Sequence, residues 1–212
     1  MPNWCSNCLK VSGTKAEMAK FLKVAIQNRK FRLGNVFPVP EALQDVHCGG
    51  CTIDGEHVRN WRTEKDAKGN DVNIKVDVEQ LIKAYGYADW YEWSIHNWGT
   101  KWDVDAKYKI QHDKTEFVAH FDSAWSHPVL WLEKLAEKFP ELKGELAYAE
   151  GGCGFWGVLY FDDGYTRDVG GSGSFWRHMT DEEQEDDNIE TIDRVLPEVR
   201  RHLEHYGINT GG

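Results

Sequence analysis

The chain has 212 residues, of which 41% are hydrophobic and 28% charged, enough to bury a core without disulfide or metal staples and within the range of one domain. Its formal charge of −10 opposes broad, non-specific nucleic-acid binding, which depends on phosphate neutralisation by Lys and Arg. No apolar run reaches the roughly 18 residues of a membrane span, and Met1-Pro2-Asn3-Trp4 lacks the basic and apolar regions of a signal peptide. Cytoplasmic residence is therefore expected, with the five Cys as reduced thiols or metal ligands rather than a disulfide framework. Ten Trp, eight Tyr and nine Phe require either packed clusters or an exposed recognition surface.

Residues 3–12 alternate as a strand, with Cys5, Asn7, Leu9 and Val11 on one face and Trp4, Ser6, Cys8 and Lys10 on the other. Gly13-Thr14 breaks it and caps a helix over 15–27, where Met18, Phe21, Leu22, Ala25 and Ile26 recur at helical spacing. Residues 35–40 read as extended, and Pro38 and Pro40 keep them out of a central strand. Residues 41–75 are polar and weakly periodic, and a helix is expected near 77–85. Trp90, Trp93, Trp98, Lys101 and Trp102 fall in what reads as an aromatic-rich loop.

A hairpin follows. Val104, Ala106, Tyr108 and Ile110 alternate with polar residues up to a turn at His112-Asp113-Lys114, and Phe117, Ala119 and Phe121 alternate with Val118, His120 and Asp122. Pro128 opens a second helix whose apolar face is Val129, Leu132, Leu135, Ala136 and Phe139. Strands are expected at 145–148 and 155–162, then a flexible loop at Gly170-Gly171-Ser172-Gly173. A final helix starts at the capping-box pair Thr180 and Glu183, with the acidic run 181–187 as a solvated face.

The predicted fold class is α+β: a ferredoxin-like βαββαβ antiparallel sheet, with an insertion after the first helix and an extra strand plus a C-terminal helix. One domain spans 1–212, residues 41–89 are the insertion, and 175–212 are a helical extension. Leu9, Val11, Phe117, Ala119 and Phe121 face the helices. Trp4 and Val118, on the opposite face, are expected to be covered.

Three segments resemble a known family: Met1-Pro2-Asn3-Trp4-Cys5-Ser6-Asn7, Trp98-Gly99-Thr100-Lys101-Trp102-Asp103 and Phe121-Asp122-Ser123-Ala124-Trp125-Ser126. Together they are similar to the YubB-like proteins of plasmids and phages, over roughly residues 1–162. The resemblance implies a ferredoxin-like domain and a mobile-element protein working in a bacterial host's cytoplasm. It implies no catalytic residues.

Three constellations could carry chemistry. Cys48-Gly49-Gly50-Cys51 with His47 has the tight CxxC spacing of a zinc half-site, but Cys5 and Cys8 on a strand point to opposite faces and cannot complete it, so little or no zinc is expected. His120 and Asp122 share a strand face with Cys8 across from them, the residue types of an activated thiol, although any His-x-Asp on a strand would match. The aromatic set Trp90, Trp93, Trp98, Lys101 and Trp102 reads either as packing, with Trp98 and Trp102 turned inward, or as a binding surface.

The functional expectation is a non-enzymatic binding protein without a cofactor. Its partner is a host or mobile-element protein, and interference with host defence is one purpose. Two alternatives stand beside it: a nucleic-acid-binding module, and a thiol- or metal-dependent enzyme using Cys8, His120 and Asp122.

Overall fold

The computed structural model describes residues 3–150 and 155–174 and the single position 205. The expected C-terminal helix and the acidic run 181–187 lie outside the described residues. The chain divides into two compact units, residues 1–36 with 98–212, and residues 37–97.

The first unit opens with β1 (Trp4–Ser12), α1 (Lys15–Ala25), the short hairpin β2 (Ile26–Gln27) and β3 (Lys30–Phe31), and the single turn α2 (Leu33–Val36). The second unit holds α3 (Glu41–Gln44), the hairpins β4 (Cys51–Ile53) with β5 (Glu56–Val58) and β6 (Trp61–Lys65) with β7 (Asp71–Lys75), then α4 (Val78–Tyr85) and α5 (Trp90–Trp98). Only the last residue of α5 counts with the first unit. The chain then returns to the first unit with β8 (Lys107–Ile110), β9 (Glu116–Ala124), α6 (Val129–Lys138), β10 (Lys143–Glu150), β11 (Phe155–Asp162) and β12 (Tyr165–Ser174).

The first unit is built on a six-stranded sheet in the order β12-β11-β10-β1-β9-β8, with every neighbouring pair antiparallel. Directly opposite residues share a face in such a sheet. Leu9 pairs with Ala119 and Leu146, and Val11 with Phe117, so the expected core face forms in register. Leu9, Val11, Phe117 and Ala119 are fully buried.

Both long helices of this unit reach the same face. Phe21 of α1 meets Phe117 edge-on at 5.5 Å, and Trp131 of α6 meets Phe31 edge-on at 5.9 Å, while Phe31 lies 5.2 Å from Phe117. Each buried ring or aliphatic chain contributes roughly 1.5–3 kcal/mol. Thr14 starts α1 with a full capping box, its hydroxyl accepting from the Glu17 N–H while the Glu17 carboxylate accepts from the Thr14 N–H.

Four local readings change. Residues 33–36 make a helical turn before the extended run to Pro40. Residues 51–75 form two hairpins, because their cross-strand partners supply a pairing that weak periodicity does not reveal. Residues 90–98 form a helix, not a loop: Asp89 accepts from the Glu92 N–H and Glu92 accepts from the Ala88 N–H, so the start of the helix is capped on both sides. Gly170-Gly171-Ser172-Gly173 lies inside β12, where the register against β11 shifts, and β11 rather than local propensity holds the segment extended.

Candidate functional site

The three motif segments converge at one end of the sheet of the first unit. β1 pairs with β9 from Trp4 opposite Ala124 onward, which sets the first and third motifs side by side. Asn7 is buried between them, and its amide donates to the Cys5 carbonyl at 2.7 Å and the Ser123 hydroxyl at 2.8 Å. The Ser123 hydroxyl in turn donates to the Ser126 carbonyl at 2.7 Å. The middle motif is tied in by the buried Thr100, whose hydroxyl donates to the Ala124 carbonyl at 2.9 Å.

Two further residues of the middle motif have structural duties. Gly99 ends α5 with φ +82°, and a Cβ there would press on the backbone nitrogens of Val129 and Leu130 at 3.3 Å. The Asp103 carboxylate accepts from the N–H groups of Leu33 and Val104 at 2.8 Å and of Gly34 at 3.2 Å. Burial pushes its pKa up, and those three N–H bonds oppose the shift.

What these contacts hold in place is a corner of exposed tryptophans. Trp4 is 52% exposed, Trp125 51% and Trp102 36%. The Trp4 and Trp102 rings lie 6.0 Å apart, tilted by 38°, and the Lys101 ammonium sits 4.6 Å from the Trp102 ring centre. Trp125 adopts φ +71°, a left-handed conformation that is costly for a bulky side chain, and its N–H donates to the Asn3 carbonyl at 2.9 Å. Trp4 therefore stands open, against the expectation that it would be covered.

The predicted aromatic set is divided. Trp98 is buried in the first unit, whereas Trp102 is not turned inward with it. The helix stops at Trp98 and Gly99 turns the chain, so the four-residue spacing no longer places both rings on one helical face. Trp90 and Trp93 belong to the second unit, where Trp93 is buried on α5. The exposed Trp4 and Trp125 lie outside that set. The local signal for Trp125 is a large aromatic placed directly after a strand, outside its alternation.

Cys8 and His120 do meet across β1 and β9, with Sγ and Nε2 3.9 Å apart. Asp122 does not support the imidazole: its carboxylate accepts from the Ser6 hydroxyl at 2.9 Å. Burial pushes the Cys8 thiol up to about 11 and the Cys5 thiol up to about 12, which keeps both protonated at neutral pH. Burial first, and Lys109 and Lys10 after it, lower the His120 pKa.

In the second unit, His47 stacks on Trp61 at 4.1 Å, and the Cys51 sulfur accepts from the Asn73 amide at 3.3 Å. Cys48 is exposed on the loop before β4. Among the described residues, no three His, Cys, Asp or Glu side chains are grouped to hold a metal ion. No helix among them is long and apolar enough to cross a membrane.

Residues 97–193 match the family model described as a ferredoxin-like domain in Api92-like protein. A crystal structure of the protein Api92 from Yersinia pseudotuberculosis is similar to this chain with a TM-score of 0.47 and 11% sequence identity, over 81% of this chain and 99% of that one. No curated protein matches the chain.

Proposed function

We propose that the chain is a non-enzymatic binding protein of a bacterial mobile element, phage or plasmid. In this reading it works in the host cytoplasm and grips a host or element protein through its tryptophan corner. The observation that carries the reading is the exposure of Trp4, Trp102 and Trp125 at one end of the sheet, where buried polar contacts of Asn7, Thr100 and Ser123 fix the backbone beneath them. Trp is the residue most enriched in binding hot spots, and strain at an exposed Trp125 is a cost that packing does not explain. The net charge of −10 favours a partner with basic surface, and interference with a host defence protein is the purpose we infer.

The finer fold reading belongs with this proposal. The strand order β10-β1-β9-β8, with α1 and α6 as the crossovers, supports a βαββαβ core. Residues 41–89 are then its insertion, and β11, β12 and residues 175–212 its additions within one domain. A nucleic-acid platform on the face away from the helices has less support, since Cys8, Ala147 and Val158 are buried there.

The test is affinity capture from bacterial lysate with nuclease present, comparing the parent with a Trp4→Ala/Trp102→Ala double variant of equal thermal stability. A protein retained by the parent and lost by the variant is expected. Equal retention by both would remove the tryptophan corner as the binding site.

A further inference from the structure

The six-stranded sheet ends at β8, which bonds to β9 along one side only, from Lys107 opposite His120 to Ile110 opposite Phe117. Among the described residues no strand pairs with its outer side, whose alternating backbone N–H and C=O groups are the template to which a further strand can add. The strand is not covered: Lys107 and Lys109 are exposed, and Ile110 is 38% exposed. A cavity of about 710 Å³ runs along it, lined by Lys107, Lys109, Ile110, Val118 and His120, with Glu116 also in its wall.

We propose that this edge docks an extended acidic segment of a partner protein by strand addition. Lys107 and Lys109 are two apart, so both ammonium groups stand on one face of the sheet, beside their cross-strand neighbours His120 and Val118. Neither has an ion-pair partner among the described residues, whereas Lys10 on the same face is paired with Glu145 at 3.1 Å. The carboxylate in the wall, Glu116, accepts from the Gln111 amide at 2.6 Å. Tyr108 and Ile110 stand on the opposite face. An added strand that alternates carboxylate and aliphatic residues therefore meets lysines on one side and apolar surface on the other.

The same lysines select the partner. A second copy adding at this edge would bring lysines toward lysines, which discourages self-association while leaving an acidic strand free to enter. A nucleic acid would gain the two lysines but could not use the backbone groups of the edge.

The probe is a blocked, fluorescein-labelled peptide of alternating glutamate and valine, with a lysine–valine peptide and an oligothymidylate as competitors. At low salt the glutamate peptide is expected to bind saturably and about tenfold tighter than the lysine peptide, the combined worth of two exposed ion pairs. A Lys107→Glu/Lys109→Glu variant, changed only at exposed positions, should reverse that preference. N-methylation of alternate peptide bonds should abolish binding, and bound peptide should slow amide exchange along 107–110. No saturable binding, equal binding of both peptides, binding that survives N-methylation, an unchanged preference in the variant, or preferential capture of oligothymidylate would each overturn the proposal. None of these outcomes bears on the tryptophan corner, whose test uses different residues.

Discussion

Aromatic side chains meet opposite fates in two regions of the first unit. On the helix side of the sheet, Phe21, Phe31 and Phe117 have no exposed surface and Trp131 has 1%, and their rings touch one another edge to face. At the sheet's end, Trp4 and Trp125 keep half their surface in water although the backbone under them is firmly bonded. A side chain is buried where an alternating strand and a helix face meet, because apolar area leaves water there. It stays open where only hydrogen bonds, and no packing layer, hold the chain. The first region accounts for stability, and the second supplies an apolar surface that folding has not used.

The largest expected effect tests the first half of that contrast. Trp131→Ala should lower stability by about 3–5 kcal/mol in denaturant melts, since the substitution empties a filled site and leaves the Leu33 carbonyl without its 3.0 Å donor. A variant that unfolds at the parent's midpoint would break the assignment of this cluster as the core.

A smaller effect comes from His127, which follows the corner in sequence and stacks on Tyr148 at 3.6 Å with its Nδ1 buried and without a hydrogen-bond partner among the described residues. Burial pushes its pKa down from 6.5 to about 4. The folded state thus favours the neutral ring. The stability this confers is complete above pH 6.5 and is lost as pH falls through the window from 6.5 to about 4. The ring is partly solvent-exposed, so the loss is roughly 1–2 kcal/mol. Melts of the parent and of His127→Phe across that window should differ in slope, the variant being flatter. Parallel curves would show that His127 titrates normally.

The sequence carried the packed region better than the open one. Leu9, Val11, Phe117 and Ala119 show their face by alternation, and Met18 and Phe21 by helical spacing, because burial writes a period into the chain. Trp131 lies outside the simplest apolar stripe of its helix, and contacts with Phe31 bring it inside. The corner carries no period. Trp98 and Trp102 read as partners until the left-handed Gly99 separates them, and Trp90 and Trp93 read as loop residues until the Asp89 and Glu92 caps make them helical. Cys8, His120 and Asp122 share a face as alternation implies, yet Ser6 takes the carboxylate, a choice settled by cross-strand register.

The smallest effect separates function from stability at one residue. Trp125 holds φ +71° with half its ring in water, so its side chain brings little burial and its backbone is strained. Glycine has no Cβ and adopts that conformation without strain, although it gives up more chain entropy on folding. Trp125→Gly should therefore leave stability unchanged or raise it by up to about 1 kcal/mol, the scale of the left-handed penalty. The same variant should lose the corner's partner in the capture experiment, because a hot-spot ring is gone while the fold stands. A residue whose removal stabilises the protein and abolishes binding is kept for binding. If Trp125→Gly instead unfolds the protein at a lower midpoint by more than about 1 kcal/mol, the ring is packing after all, and the contrast between the two regions fails at its sharpest point.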